Sequence, residues 1–123
     1  MTNRSLLSLA FLAVSATSVA AEGAVDGLQL LMFEQPGCIY CARWNEDVAP
    51  EYSLTAEGKV APLHRLQLRE PLPEGLTLDS PPVFTPTFVL VEDGVEAGRI
   101  EGYPGEDFFW PLLADMIANA AEY

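Results

Sequence analysis

Cysteine, histidine and basic side chains are scarce in this chain of 123 residues. It has two cysteines, one histidine, and 6 lysines and arginines against 18 aspartates and glutamates, which gives a formal net charge of −12. Proteins that bind nucleic acid or anionic lipid use clustered basic side chains, so this composition argues against both kinds of partner. A structural zinc ion usually takes about four ligands, which two cysteines and a lone histidine do not provide. A scaffold held by several disulfides is excluded by the same count.

Long apolar runs are lacking beyond the N-terminus. There, Arg4 precedes an apolar stretch over residues 6–14, and Ser18-Val19-Ala20 gives a small-x-small pattern before Ala21. This pattern is typical of a secretory signal peptide, and the stretch is too short to span a membrane comfortably. We therefore expect residues 1–20 to be a cleaved signal peptide and residues 21–123 to form one exported domain, with an uncleaved membrane anchor as the alternative.

The two cysteines that are present stand close together, in Cys38-Ile39-Tyr40-Cys41. This segment lies between an apolar run over residues 28–33 and a segment of helical character from Ala42 onward. A helix N-terminus favours a thiolate over a thiol, and a second sulfur one turn away can resolve a mixed disulfide formed by the first. The pattern predicts thiol–disulfide exchange, with the dithiol as the redox centre and no cofactor or metal ion.

Other interpretations of the cysteine pair remain open at this point. Two soft thiolates suit a cuprous ion, so a copper-binding chaperone is one alternative. A partner-docking module without catalysis is another, and a purely structural disulfide is a third. Covalent haem attachment is excluded, because Ala42 follows Cys41 where a histidine is required. His64, the only histidine, is expected to pack or to face solvent.

Hydrophobic spacing predicts an α/β domain. Residues 28–33 read as a central strand buried on both faces, and residues 60–68 as a second strand. Between them we predict a helical segment over residues 40–57, with Trp44, Val48, Tyr52 and Leu54 on its apolar side and an interruption at Pro50. A strand, a helix and a second strand in this order give a parallel crossover.

The sequence of the second half of the chain predicts a proline-containing loop, a hairpin and a helix. The loop covers residues 69–82, and residues 87–91 and 95–100 form antiparallel strands around Glu92-Asp93-Gly94. The last helix carries an apolar stripe of Phe109, Leu113, Met116, Ile117 and Ala120, with Asp107 as its expected cap and Pro111 near its first turn. The result is a small mixed sheet flanked by helices.

With these elements in place, the chain resembles the thioredoxin superfamily. Three features carry the likeness, namely the Cys38-Ile39-Tyr40-Cys41 motif, Thr85-Pro86-Thr87-Phe88 at the start of the next-to-last strand, and the closing hairpin and helix. The likeness implies a minimal thioredoxin-like fold for residues 21–123. Within the superfamily, the stretch from Cys38 through Glu106 is most similar to the small periplasmic thioredoxin-like proteins of bacterial sulfur-oxidation systems.

The resemblance implies a periplasmic thiol–disulfide oxidoreductase that reduces disulfides of partner proteins. Cys38 would be the nucleophile and Cys41 the resolving thiol, while Thr85 and a cis Pro86 would line the substrate groove. Tyr40, between the two sulfurs, is expected to be exposed and to contact the substrate. The implied partners are a protein disulfide and a membrane thiol relay as electron donor, and the chain is expected to be a monomer.

One departure from thioredoxins concerns proton transfer. Thioredoxins carry a buried acid six residues before the nucleophile, and here that position is Met32. Cys41 must then lose its proton to water or to another group, for which Glu34 is one candidate. The loop over residues 102–107 either lines the groove, as in glutaredoxins, or simply begins the last helix.

Overall fold

The computed structural model describes residues 27–121 and Ala13. The elements are β1 (Leu28–Glu34), α1 (Ile39–Asp47), α2 (Ala49–Tyr52), α3 (Ala56–Val60), β2 (Leu63–Gln67), β3 (Thr87–Glu92), β4 (Val95–Glu101) and α4 (Glu106–Ala121). The predicted signal peptide lies outside the described residues, apart from Ala13. Among the helices that are described, none has the length and hydrophobicity needed to cross a membrane.

The four strands form one mixed sheet in the order β2-β1-β3-β4. β1 and β2 are parallel, with Leu30 opposite Leu63, and β3 is antiparallel to both β1 and β4. The predicted parallel crossover, the hairpin and the α/β class are therefore confirmed. Because β1 has a neighbour on each side, the end of β1 delivers the chain to the cysteine pair from the middle of the sheet.

β1 contributes side chains to both hydrophobic clusters of the described residues. Successive side chains of a strand point to opposite faces. Leu30 and Met32 pack in the larger cluster, and Leu31 and Phe33 in the smaller one. The larger cluster also contains Val48, between α1 and α2, and the buried helical side chains Cys41, Trp44, Tyr52, Phe109, Leu113 and Ala120. The second cysteine of the motif is thus part of the main core.

The loop over residues 69–82 covers the other face of the sheet. Its Leu76 and Leu78 pack against the smaller cluster. The backbone N–H of Thr77 donates to the Gly94 carbonyl at 2.7 Å, and the Thr77 carbonyl accepts from the Glu96 N–H at 2.9 Å. The loop contains no regular helix, as predicted, but its leucines pack on the smaller cluster and its backbone is hydrogen-bonded to the β3–β4 hairpin.

The predicted interruption at Pro50 is confirmed, because α1 ends at Asp47 and Pro50 lies in the first turn of α2. Two other expectations for this region are wrong. Leu54 is 72% exposed and contributes nothing to the core. Val60 belongs to α3 instead of the second strand, because Thr55 starts a new helix by accepting a hydrogen bond from the Gly58 N–H at 3.0 Å.

The apolar stripe of α4 is confirmed. Phe109, Leu113 and Ala120 are buried, and Met116 and Ile117 are partly buried against the same cluster. This stripe is what holds α4 on the sheet.

The start of α4 differs from the prediction. The helix begins at Glu106, so Asp107 lies inside the first turn and is not its cap. The Gly105 carbonyl accepts the N–H groups of Phe108 and Phe109 at 3.2 and 2.9 Å. Pro111 consequently lies past the first turn, and the helix continues through it to Ala121. A proline in the helix interior removes one backbone hydrogen bond, and here the burial of the stripe offsets that loss.

Candidate functional site

A tight turn between β1 and α1 positions the first cysteine. Gly37 takes a φ of 81°, a conformation that side chains other than glycine rarely adopt. Cys38 follows as the N-cap of α1, and its sulfur accepts a hydrogen bond from the Cys41 N–H at 3.1 Å. Cys38 therefore stands at the positive end of the helix dipole, and the first turn of α1 holds no acidic side chain that would oppose a negative sulfur.

The two cysteines are joined in a disulfide, with their Cα atoms 5.2 Å apart. Their environments differ. Cys38 is partly exposed, whereas Cys41 is only 4% exposed and packs with the main core. A partner can reach the sulfur of Cys38 much more easily than that of Cys41.

The loop before β3 provides a second wall. The Thr85–Pro86 peptide bond is cis, as the family resemblance implies, and Pro86 is buried. The Pro86 carbonyl accepts the Gly102 N–H at 2.8 Å, and the Thr87 hydroxyl donates to the Phe84 carbonyl at 2.7 Å. Within the described residues, the backbone N–H and carbonyl of Thr85 make no hydrogen bond. These two groups remain available to an incoming chain.

Gln35 connects the two loops of the site. Its side-chain Nε2 donates to the Thr85 Oγ1 at 2.9 Å, across 50 positions of sequence. Its backbone carbonyl accepts the Cys38 N–H at 3.3 Å. Gln35 could not be identified from the sequence, because its position in the turn gives no sign of a partner so far away along the chain.

Exposed apolar side chains flank both loops. Ile39 and Tyr40 are exposed beside Cys38, and Val83 and Phe84 are exposed just before Thr85. Tyr40 is 54% exposed, as expected, and the Arg43 guanidinium lies over its ring at 5.3 Å from the centroid. Apolar surface of this kind commonly marks a site of protein contact.

A groove of about 390 Å³ runs beside the cysteine pair on the β1 side. Its lining includes Glu34, Cys38, Cys41 and Asn45. The Glu34 carboxylate accepts a hydrogen bond from Arg65 Nη1 at 2.7 Å, so its charge is paired. Asn45, one turn after Cys41, has a buried Oδ1 with no hydrogen-bond partner among the described residues. Asn45 was not predicted as a site residue, although its spacing of four from Cys41 places it on the same side of α1.

Met32 takes the place of the thioredoxin acid and is fully buried. Arg65 Nη1 lies 3.6 Å from the Met32 sulfur, and the guanidinium lies over the Trp44 ring at 5.5 Å from the centroid. Trp44 itself is a core residue.

His64 is exposed on β2, in agreement with one of its two expected placements. No group of three or more potential metal ligands occurs in the described part of the chain.

The loop over residues 102–107 contacts the end of α1. The Tyr103 hydroxyl donates to the Asp47 carboxylate at 2.8 Å, and the Tyr103 ring packs edge-on against Phe109. Desolvation of the hydroxyl, followed by its hydrogen bond with Asp47, raises the pKa of Tyr103 above the usual range. The loop thus fixes α4 against α1, and its Gly102 is bonded to Pro86.

A helix-capping cysteine pair beside a cis-proline loop, on a four-stranded mixed sheet, defines a thiol–disulfide oxidoreductase of the thioredoxin type. The family model described as a thioredoxin-like domain matches residues 15–117, and the chain belongs to that family. Among solved structures, it is similar to the periplasmic thioredoxin SoxS from Paracoccus pantotrophus in its reduced form. The two share 66% identity over 76% of this chain and 98% of that chain, with a TM-score of 0.75. None of the curated proteins matches this chain.

These comparisons bear on the sequence-based predictions. The thioredoxin-like fold and the oxidoreductase activity are confirmed, and the periplasmic location agrees with that of the SoxS relative. The copper-chaperone and docking-module alternatives are not favoured.

Proposed function

We propose that this chain reduces disulfides of partner proteins, with Cys38 as the attacking sulfur and Cys41 as the resolving sulfur. The observation that carries the assignment is the difference in their surroundings. Cys38 is partly exposed at the N-terminus of α1, and Cys41 is buried one turn inside. The dipole at the N-terminus lowers the cost of a charged sulfur at Cys38, whereas burial opposes a charged sulfur at Cys41.

The reaction proceeds in two exchanges. In the dithiol form, the Cys38 thiolate attacks one sulfur of the partner's disulfide, and the other partner sulfur leaves as a thiolate that takes up a proton. The Cys41 thiol then loses its proton and attacks the Cys38 sulfur of the mixed disulfide. The second partner sulfur leaves, and the Cys38–Cys41 disulfide forms. Two electrons have passed to the partner, so an external donor must reduce the pair again.

Thr85 and Tyr40, on two sides of the Cys38 sulfur, bind the partner during these steps. The free backbone groups of Thr85 pair with an extended segment next to the partner's cysteine, in the manner of a strand added at a sheet edge. Tyr40 contributes apolar contact on the other side of the sulfur. The likeness to SoxS supports a partner within a periplasmic sulfur-oxidation system. We also propose a membrane thiol relay as electron donor and a monomeric state.

Trapping with single-cysteine variants tests the roles of the two sulfurs. The Cys41→Ser variant should attack but fail to release, and should accumulate a mixed disulfide with its natural partner. The Cys38→Ser variant serves as the matched control and should accumulate none. Non-reducing gels of periplasmic extract, followed by mass spectrometry, would identify the partner. Adducts that form through Cys41 in the Cys38→Ser variant would reverse the assignment.

The direction of exchange has its own test. A reductase needs a dithiol–disulfide pair whose reduction potential is well below that of a strong oxidant, about −120 mV. We expect a reduction potential of roughly −200 to −280 mV for the Cys38–Cys41 pair. Equilibration with glutathione, read by alkylation and mass shift, gives this value. A potential near that of the strong oxidant would contradict the reductive direction.

A further inference from the structure

Gln35 holds the two halves of the site together through separate groups of one residue. Its backbone carbonyl accepts the N–H of Cys38 at 3.3 Å, and its side-chain amide donates to the Thr85 hydroxyl at 2.9 Å. We propose that Gln35 is a positioning residue that sets the spacing between Cys38 and the backbone of Thr85, and thereby controls the affinity for protein disulfides. This inference rests on the proposed function, in which the Thr85 backbone pairs with the partner.

The loop before β3 is anchored elsewhere by bonds on either side of Thr85. The Pro86 carbonyl is bonded to Gly102, and the Phe84 carbonyl to the Thr87 hydroxyl. The first bond holds the loop to the residue that follows β4, and the second holds the loop to the start of β3. The Gln35 bond is different, because it ties the loop to the turn that carries the nucleophile.

The bond also orients the hydroxyl of Thr85. A threonine hydroxyl has one donor and two acceptor positions. Because the oxygen accepts from Gln35, one acceptor position is occupied on that side and the side chain is kept in one rotamer. Because this side chain is tied to the turn that carries Cys38, the backbone N–H and carbonyl of Thr85 are held at a fixed distance from that turn, where an extended partner can pair with them. Without the bond, a partner would have to order this edge when it binds, at a cost in affinity.

The consequence depends on the size of the substrate. A protein disulfide arrives within a chain that uses the Thr85 backbone, so loss of the Gln35 bond should weaken its binding. A small aromatic disulfide has no peptide chain to pair with Thr85 and should react at an unchanged rate. A purely structural role of Gln35 would instead affect both substrates together.

The test is a double-mutant cycle on the full mature protein. Gln35→Met keeps the length of the side chain without the donor, and Thr85→Val keeps the shape of its side chain without the hydroxyl. The first assay is the reduction of insulin with dithiothreitol as electron source. The second is a single turnover of the reduced protein with dithiobis(nitrobenzoate). Gln67→Met is the matched control, since Gln67 is an exposed glutamine at the end of β2.

We expect Gln35→Met to raise the KM for insulin about three- to tenfold, the effect of one lost hydrogen bond, with kcat within about twofold. The rate with dithiobis(nitrobenzoate) should be unchanged, as should both assays for Gln67→Met. In the Thr85→Val background, Gln35→Met should have no further effect. In a Thr85→Ser background, which retains the hydroxyl, its effect should remain.

Two results would overturn the inference. The first is a Gln35→Met effect that is additive with Thr85→Val, and the second is an equal loss with both substrates. Thermal unfolding of each variant checks that it is folded. If instead the wild type fails to reduce insulin, or Cys38→Ser reduces it equally well, the proposed function itself has failed, which separates the two questions.

Discussion

The hydroxyl of Tyr52 donates a hydrogen bond of 2.6 Å to the backbone carbonyl of Ala61. The two residues lie at the end of α2 and just after α3, so the bond closes the short helical segment between α1 and β2. Both residues are buried in the main cluster with Trp44. Burial of the phenol, followed by the negative charge of Glu57, raises the pKa of Tyr52 above its usual range.

Tyr52→Phe should lower the free energy of unfolding by about 1–3 kcal/mol at neutral pH, because the Ala61 carbonyl loses its buried donor. The raised pKa means that the folded state keeps a proton that the unfolded state loses above a pH of about 10. The stability from this group is complete below that pH and is lost as the pH rises further. Urea unfolding at pH 8 and pH 11 should therefore show a smaller advantage of the wild type at pH 11. An equal difference at both values would contradict this account.

Gly58 offers no room for a side chain. A Cβ at this position would overlap the backbone carbonyl oxygen of Tyr52, which cannot move without the helix. We expect Gly58→Ala to cost about 3 kcal/mol of stability, despite the better helix propensity of alanine. Gly98→Ala is the comparison, since a Cβ there meets the flexible Met116 side chain, with its sulfur at 2.8 Å, and should cost about 1 kcal/mol. Urea denaturation measures both, and equal costs would be inconsistent with this contrast.

Glu96 links β4 to the loop that covers the second face of the sheet. Its side chain is 6% exposed and accepts a hydrogen bond from Arg99 at 2.6 Å, while Arg99 also donates to the Ser80 carbonyl at 2.6 Å. Burial raises the pKa of Glu96, the bonded Arg99 opposes this rise, and the neighbouring Asp79 adds to it.

The raised pKa sets the sign of the pH dependence. The contribution of Glu96 to stability is complete below the unfolded pKa of about 4.3 and is lost as the pH rises through the higher folded value. The stability of the wild type relative to Glu96→Gln should therefore decrease from pH 4 to pH 7. Thermal or urea unfolding of both proteins across this range measures the difference. A relative stability that grows with pH would show that Arg99 outweighs burial.

Tyr40 provides a test of the apolar surface beside the nucleophile. Tyr40→Ala removes an exposed ring next to Cys38, and we expect the KM for insulin to rise about threefold or more, with little change in stability. Leu54→Ala is the control, because Leu54 is also an exposed apolar residue but lies in the turn between α2 and α3. Steady-state reduction of insulin compares the two. Equal KM values for both variants would exclude Tyr40 as a substrate contact.

Several features of the fold could be predicted from the sequence because they depend on neighbouring residues alone. The almost wholly apolar run of β1 predicted a strand buried on both faces, since a strand buried on both sides shows no alternation of polar and apolar residues. Pro50 predicted the interruption after α1, because proline lacks the N–H that a helix interior needs. Cys38 lies between the apolar run of β1 and a segment of helical character, and this order predicted its position at the N-terminus of a helix. Each of these follows from the local geometry of the backbone.

Local spacing failed where a competing contact decided the structure. Leu54 fits the helical spacing of Trp44 and Val48, but Thr55 caps a new helix and leaves Leu54 in the exposed turn before it. Asp107 is a favourable cap residue, yet α4 already starts at Glu106, so Asp107 lies within its first turn. The Thr55 hydroxyl starts the helix in the first case, and in the second the Gly105 carbonyl accepts the first N–H groups of α4.

The sequence by itself determined which side chains carry the chemistry, because two cysteines one helical turn apart can form a disulfide with each other and resolve a mixed disulfide with a partner. The tertiary structure alone decided what surrounds them. It brought Gln35 to Thr85, and it used Leu76 and Leu78 of an irregular loop to cover the second face of the sheet. These contacts join residues far apart in the chain, and their formation depends on how the whole core packs. These contacts therefore cannot be predicted from local patterns of hydrophobicity or helix propensity.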